Sequence, residues 1–233
     1  VTIRAKLYAA IVLTILGPVA TTAVALQGMS EMGDRFDEVQ ERARDEALAR
    51  EVKFLVTDVN GWQTAYGYEG GGSSREQYLR SEDELRKALD EANETLTDPE
   101  ERALLSQLDQ DFDRFTALDG DAYRALQAGQ EQRTKQILLG PELRRFEAMA
   151  ATAESLAGYE AEGAAEADSA FDDARDDARR RLITVALGAG IVILLLLVTA
   201  ADVARLALEG ERSSRERAPK GKRDDGEKRD DRI

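Results

Sequence analysis

The residues best suited to chemistry lie in one stretch, Asp58, Val59, Asn60, Gly61, Trp62, Gln63, Thr64, Ala65, Tyr66, Gly67 and Tyr68, which holds the chain's single Trp and two of its six Tyr. With Tyr78 beyond a glycine-rich reversal, these side chains are of the kind that line a small-ligand pocket. Aromatic faces receive an apolar or cationic group, and Asp58, Asn60 and Gln63 fix its orientation. The ligand-binding candidates are therefore Asp58, Asn60, Trp62, Gln63, Tyr66 and Tyr78. A plainer reading competes with this one and is favoured by the spacing: Trp62 and Tyr66 continue a heptad seam and plug the end of a helical core.

Other chemistry is removed by what the chain lacks. It has no Cys and no His, so thiolate or imidazole zinc sites, His- or Cys-ligated haem, Ser-His-Asp and Cys-His catalysis and a phospho-accepting histidine all lose an obligatory group. No nucleophile-base pair stands out, and no enzyme, metal or cofactor is expected. The carboxylates Glu82, Asp83, Glu84 and Asp172, Asp173, Asp176, Asp177 lack the spacing of a calcium loop and read as solvated helix faces. Between Gly28 and Ala178 there are 37 acidic and 17 basic residues. A surface that acidic repels nucleic acid and favours cationic or neutral ligands.

The elements that must position these residues are helical. Two uncharged apolar runs, Leu7–Leu26 and Leu182–Ala201, bracket the charged region. Each is long enough, at about 1.5 Å per residue, to cross roughly 30 Å of hydrocarbon. Arg4 and Lys6 precede the first run. Ala23, Val24 and Ala25 offer a signal-cleavage pattern, but the run exceeds a usual signal core and its helical pattern continues past Gln27, so a retained anchor is expected. Met29, Met32, Phe36, Val39 and Ala43, then Leu48, Val52, Leu55, Val59, Trp62 and Tyr66, form a heptad seam with one phase slip.

Gly70, Gly71, Gly72, Ser73 and Ser74 predict a reversal. A second helix to about Leu96 buries Tyr78, Leu85, Leu89 and Ala92. Asp98, Pro99, Glu100 and Glu101 stop one helix and start the next, which carries Leu105, Leu108, Phe112, Phe115, Ala122 and Leu126 to near Gly129. A fourth helix starts near Glu131, is kinked or divided at Gly140 and Pro141, and leads through Ala-rich positions into Leu182. The predicted fold is all-α: an antiparallel up-down four-helix bundle flanked by two transmembrane helices continuous with its first and last helices.

The expected divisions are 1–27, an N-terminal cytoplasmic end with the first span; 28–181, an extracytoplasmic domain; 182–204, the second span; and 205–233, a disordered charged tail. Basic residues near both ends, among them Arg205, Arg212, Arg215 and Arg217, place both termini in the cytoplasm of a two-pass protein of the plasma membrane. Arg179, Arg180 and Arg181 oppose that rule and are read as snorkelling to headgroups. In the second span Ala186 and Gly190 form a small-xxx-small pair that permits close packing and a homodimer.

This arrangement, with the Ile3, Arg4, Ala5, Lys6, Leu7 entry, the Asp98–Arg102 restart and the Ala128, Gly129, Gln130 turn, resembles the four-helix-bundle sensor domain of methyl-accepting chemotaxis receptors. The resemblance covers Thr2 to Ala201. It implies a dimeric membrane receptor that senses outside the cytoplasm and displaces a helix through the bilayer. Family members continue into a HAMP linker and an output domain, and the 32 residues after Ala201 lack that pattern. The expected role is a sensory module that acts through a cytoplasmic or membrane signalling partner, or a remnant of a longer receptor. The alternative is a structural scaffold of the cell envelope.

Overall fold

The computed structural model describes residues 3–70 and 72–216, and among them every regular element is helical. In chain order these are α1 (Ile3–Glu69), α2 (Ser73–Thr95), α3 (Pro99–Gln127), α4 (Glu131–Ile137), a π-helical turn (Leu138–Glu142) and α5 (Leu143–Glu216). Two compact units are present: Gly28–Asp177, and the described parts of Val1–Gln27 with Ala178–Ile233.

In the first of these units, local chemistry sets each boundary. Gly70 and Gly72 take φ of 81° and 76°, in the left-handed region where a Cβ is penalised, and reverse the chain between α1 and α2. α3 opens with a capping box: the Asp98 carboxylate accepts from the Glu100 backbone N–H at 2.9 Å, while Glu101 accepts from the Asp98 N–H at 2.7 Å. Gly129, at φ 68°, ends α3, and the Gln130 N–H donates back to the Ala125 carbonyl at 2.9 Å.

Four helical segments contribute to one apolar core: Leu48, Val52 and Val59 from α1, Leu85 and Leu89 from α2, Leu105, Leu108, Phe112 and Phe115 from α3, and Met149 and Leu156 from α5. The seam predicted on α1 is partly corrected. Leu48, Val52, Leu55, Val59 and Tyr66 are buried, but Met29 and Phe36 are 71% and 49% exposed. Trp62 is also on the surface, and its place in the core is taken by Gln63. The inward edge of α1 is Asp45, Ala49, Val52, Val56, Val59, Gln63 and Tyr66, all buried, a seven-residue repeat rotated by one position at its end from the predicted one. Heptad spacing in sequence admits both phases; packing chose the one that includes a polar residue.

The fourth helical run is divided between α4 and α5 at Gly140 and Pro141. Both residues are absorbed by the π-turn, where the wider hydrogen-bond pattern tolerates the missing proline N–H.

In the second unit one helical stretch, within 131–202, is long and apolar enough among the described residues to cross a membrane, and its most apolar window is entirely exposed. α5 continues as helix to Glu216, so the predicted disordered tail does not begin at Arg205. The rest of that expectation, 217–233, lies outside the described residues.

Candidate functional site

The Gly70–Gly72 reversal sets the end of α1 beside the start of α2, and Asp119 and Tyr123 of α3 arrive at the same level. The Arg75 guanidinium carbon lies 4.8, 4.5 and 4.4 Å from the ring centroids of Tyr66, Tyr78 and Tyr123. Tyr66 meets Tyr78 and Tyr123 edge-to-face at 5.5 and 5.9 Å. Arg75 Nη1 donates to Asp119 Oδ2 at 2.6 Å, and the Tyr66 hydroxyl donates to Asp119 Oδ1. Asp119 is therefore a buried carboxylate with a largely covered cation and a phenol on its two oxygens, a pairing that low dielectric strengthens. Burial, and then the Asp119 charge, pushes the Tyr66 and Tyr78 hydroxyls well above the ordinary phenol range. Both are held protonated, and Tyr66 uses its proton on Asp119.

Glu142, the last residue of the π-turn, enters this cluster from a fourth direction. It is 1% exposed. Burial, followed by the nearby Asp119 charge, raises its carboxyl to about 8, with the Gln63 amide and Arg75 pulling the other way. Both Glu142 oxygens, Gln63 Nε2 and the Tyr78 hydroxyl are buried and make no hydrogen bond of normal geometry. Buried polar atoms in that condition mark a network that takes up a proton, a water or a small polar ligand.

On the other side of Gln63 lies a groove of about 120 Å³ between α1 and the π-turn, lined by Asn60, Gln63, Thr64, Gly67, Tyr68, Lys135, Leu138, Leu139 and Leu143. Gly67 makes the approach possible: a Cβ there would stand 2.7 Å from Leu138 Cδ1. The π-turn thus faces the groove with Leu138 and Leu139 and the buried network with Glu142.

A second acidic site lies farther along the same unit. Glu101, Glu160 and Asp45 are 3%, 0% and 8% exposed, and their nearest cation is Arg42, whose Nη1 is 3.8 Å from Glu101 Oε1. Glu160 is raised to about 7 by burial and then by the neighbouring Glu101 carboxylate. Asp45 is raised by burial and then by Glu101. A polar cleft of about 300 Å³ beside them is lined by Glu38, Glu41, Arg42, Asp45, Asp98 and Glu101 together with Thr95 and Thr97. Among the described residues no group of three or more His, Cys, Asp or Glu is arranged to hold a metal ion.

No known protein family, curated protein or solved structure matches this chain.

The candidates proposed from sequence are therefore scattered over four places. Tyr66, Tyr78 and Gln63 meet in the buried cluster, and Gln63 also lines the groove with Asn60. Asp58 accepts from the Ser81 hydroxyl, away from both. Trp62 stands apart on the surface and lines neither. Tyr66 and Tyr78, with Tyr123 and not Trp62, stack around the protein's own Arg75. In the apolar helix Ala186 and Gly190 are exposed, with open space around Gly190. A separate apolar groove is lined by Val185, Gly188, Ala189, Val192 and Ile193 together with residues from 14 to 22. Of the acidic runs, Asp83 pairs with Lys87 at 2.5 Å and Asp172 with Arg175 at 3.5 Å on exposed faces.

Sequence reasoning missed Arg75, Asp119, Tyr123 and Glu142. A signal was present. Asp119 follows Phe112 by seven and Phe115 by four, Glu142 precedes Met149 by seven, Glu101 precedes Leu108 by seven, and Glu160 follows Ala153 by seven. Acids standing in the core phase of a heptad are buried acids in waiting.

Proposed function

We propose that the chain is a membrane-anchored sensory module: an antiparallel up-down four-helix bundle, held outside the cytoplasm by two membrane-spanning helices, that resembles a chemoreceptor sensor domain. The observation that carries this reading is the π-turn. It lines a groove on one side and the buried polar network on the other, and it is joined directly to a 74-residue helix that includes the apolar run. A π-turn is a register defect in a helix and is frequent at functional sites. A shift at Leu138 or Glu142 is passed to α5 as a translation or rotation, because a helix is stiff along its axis. Signalling then runs through a partner in the membrane or cytoplasm.

A homodimer fits this role. Met29, Phe36 and Ala43, then Ala47, Phe54, Gly61 and Tyr68, fall at steps of seven on α1 and are all exposed, Phe54 and Tyr68 by 65% and 81%. An apolar stripe of that period is what a parallel helix of a second copy covers.

The absence of native cysteine makes the test direct. Single cysteines placed at Val185, Val192 and Leu196 in the membrane-embedded full chain report helix displacement by their crosslinking rates. Rates that change with a stimulus support sensing. Rates that never change, with stable co-purification of an envelope protein, would replace this reading with a scaffold.

A further inference from the structure

We propose that the groove between α1 and the π-turn is a binding site for a small organic monocarboxylate, with Lys135 taking the carboxylate and Leu138, Leu139 and Leu143 the apolar body. This deepens the sensory reading by naming what its site accepts.

The charge pattern selects the ligand class. Residues 28–178 carry twenty more acidic than basic side chains, yet no carboxylate lines this groove, and Lys135 is the one charged side chain that does. Lys135 is in no ion pair among the described residues. Lys135 shares this lining with Leu138, Leu139 and Leu143, so an anion reaching it finds a positive charge without a competing acid. Asn60 and Thr64 add a side-chain amide and a hydroxyl, which orient a carboxylate's remaining lone pairs. A cationic ligand is disfavoured twice, by Lys135 here and by Arg75 already seated among the tyrosines.

Size selects the ligand further. A groove of about 120 Å³ is well below the roughly 300–1,000 Å³ of drug-sized sites. It suits a branched short-chain or single-ring acid. The wall is also the part of the fold able to respond. Leu138 has Gly67 behind it and Glu142 is four residues on, so an acid wedged against Leu138 loads the π-turn directly. Gln63 lines the groove and lies beside Glu142, which links the two sides.

The test uses the full chain in lipid nanodiscs with benzoate and isovalerate as probes, and benzamide and benzylamine as their neutral and cationic counterparts, read by calorimetric titration and thermal melting. The acids are expected to bind and raise Tm, with benzamide at least about tenfold weaker and benzylamine silent. Lys135→Gln should weaken the acids about tenfold or more, Lys135→Arg should retain most of the affinity, and Leu139→Asn, at an exposed position, should weaken binding without altering the unliganded melt. The proposal is overturned if neither acid binds, if benzamide matches benzoate, or if Lys135→Gln binds normally. It is overturned equally if Leu139→Asn converts a dimer to monomers while the acids stay silent, since the groove then belongs to a second copy. Acid binding that leaves the membrane-helix crosslinking rates unchanged supports the site and sinks the sensory reading, so the two fail separately.

Discussion

Two clusters of buried acids stand in the same helical unit and solve one electrostatic problem differently. Asp119 has a guanidinium on it, 15% exposed against its own 3%, and a tyrosine hydroxyl on its other oxygen. Glu160, fully buried, has only other carboxyls close by and the half-exposed Arg42 beyond them. A carboxylate out of water needs either a counter-charge or a proton. Asp119 has the counter-charge. Glu160, and Glu142 beside the first cluster, are pushed by burial towards the protonated form. The comparison teaches that an acid in a core phase does not announce a ligand site; its meaning depends on which neutralising partner the other helices bring.

The largest effect should come from taking away the counter-charge. Arg75→Met leaves Asp119 buried and unpaired and is expected to cost about 3–5 kcal/mol in urea unfolding followed by Trp62 fluorescence. Adding Asp119→Asn should recover a large part of that loss. Recovery by less than about 1 kcal/mol would show that Arg75 acts through its packing on three tyrosines and not through its charge.

Next comes the proton that burial favours at Glu142. An acid whose pKa is raised in the folded state, here to about 8 from an ordinary 4.5, binds more protons folded than unfolded between those values. Stability is therefore fully present below about pH 4.5 and declines as pH rises through 8. Glu142→Gln should be nearly silent at pH 4.5 and stabilising by about 2–4 kcal/mol at pH 9. A substitution effect that does not vary with pH would mean that Glu142 is not the group titrating.

Glu160→Gln should behave in the same sense over a lower and narrower window, ending near pH 7, with about half the gain because Glu101 and Asp45 share the burden. If its stabilisation appeared only below pH 5, the proton would not reside on Glu160. Gly129→Ala supplies the smallest change, a loss of about 1–2 kcal/mol from forcing an L-residue to φ 68°. It touches neither cluster, so it should be the same at every pH.

Much of the architecture was legible one residue at a time. The Asp98, Pro99, Glu100, Glu101 restart, the glycine reversal and the turn at Gly129 are local signals, since capping and left-handed φ depend only on neighbouring residues. The site was legible only in part. Tyr66, Tyr78 and Gln63 were named correctly as residues that come together, whereas Trp62 was drawn in by its type and by a heptad count one position out of phase.

The chain alone determined where the three turns of the helical unit fall, which stretch is apolar enough for a membrane, and that thiol and imidazole chemistry are absent. These follow from propensity, composition and spacing, each a property of a few adjacent residues. The tertiary structure decided which face of α1 turns inward, that the tyrosine cage holds Arg75 and not a ligand, and that Gly140 and Pro141 become a π-turn that points Glu142 into the core. Those depend on which side chains four separate helical segments bring to one level, and periodicity within a single helix does not carry that information.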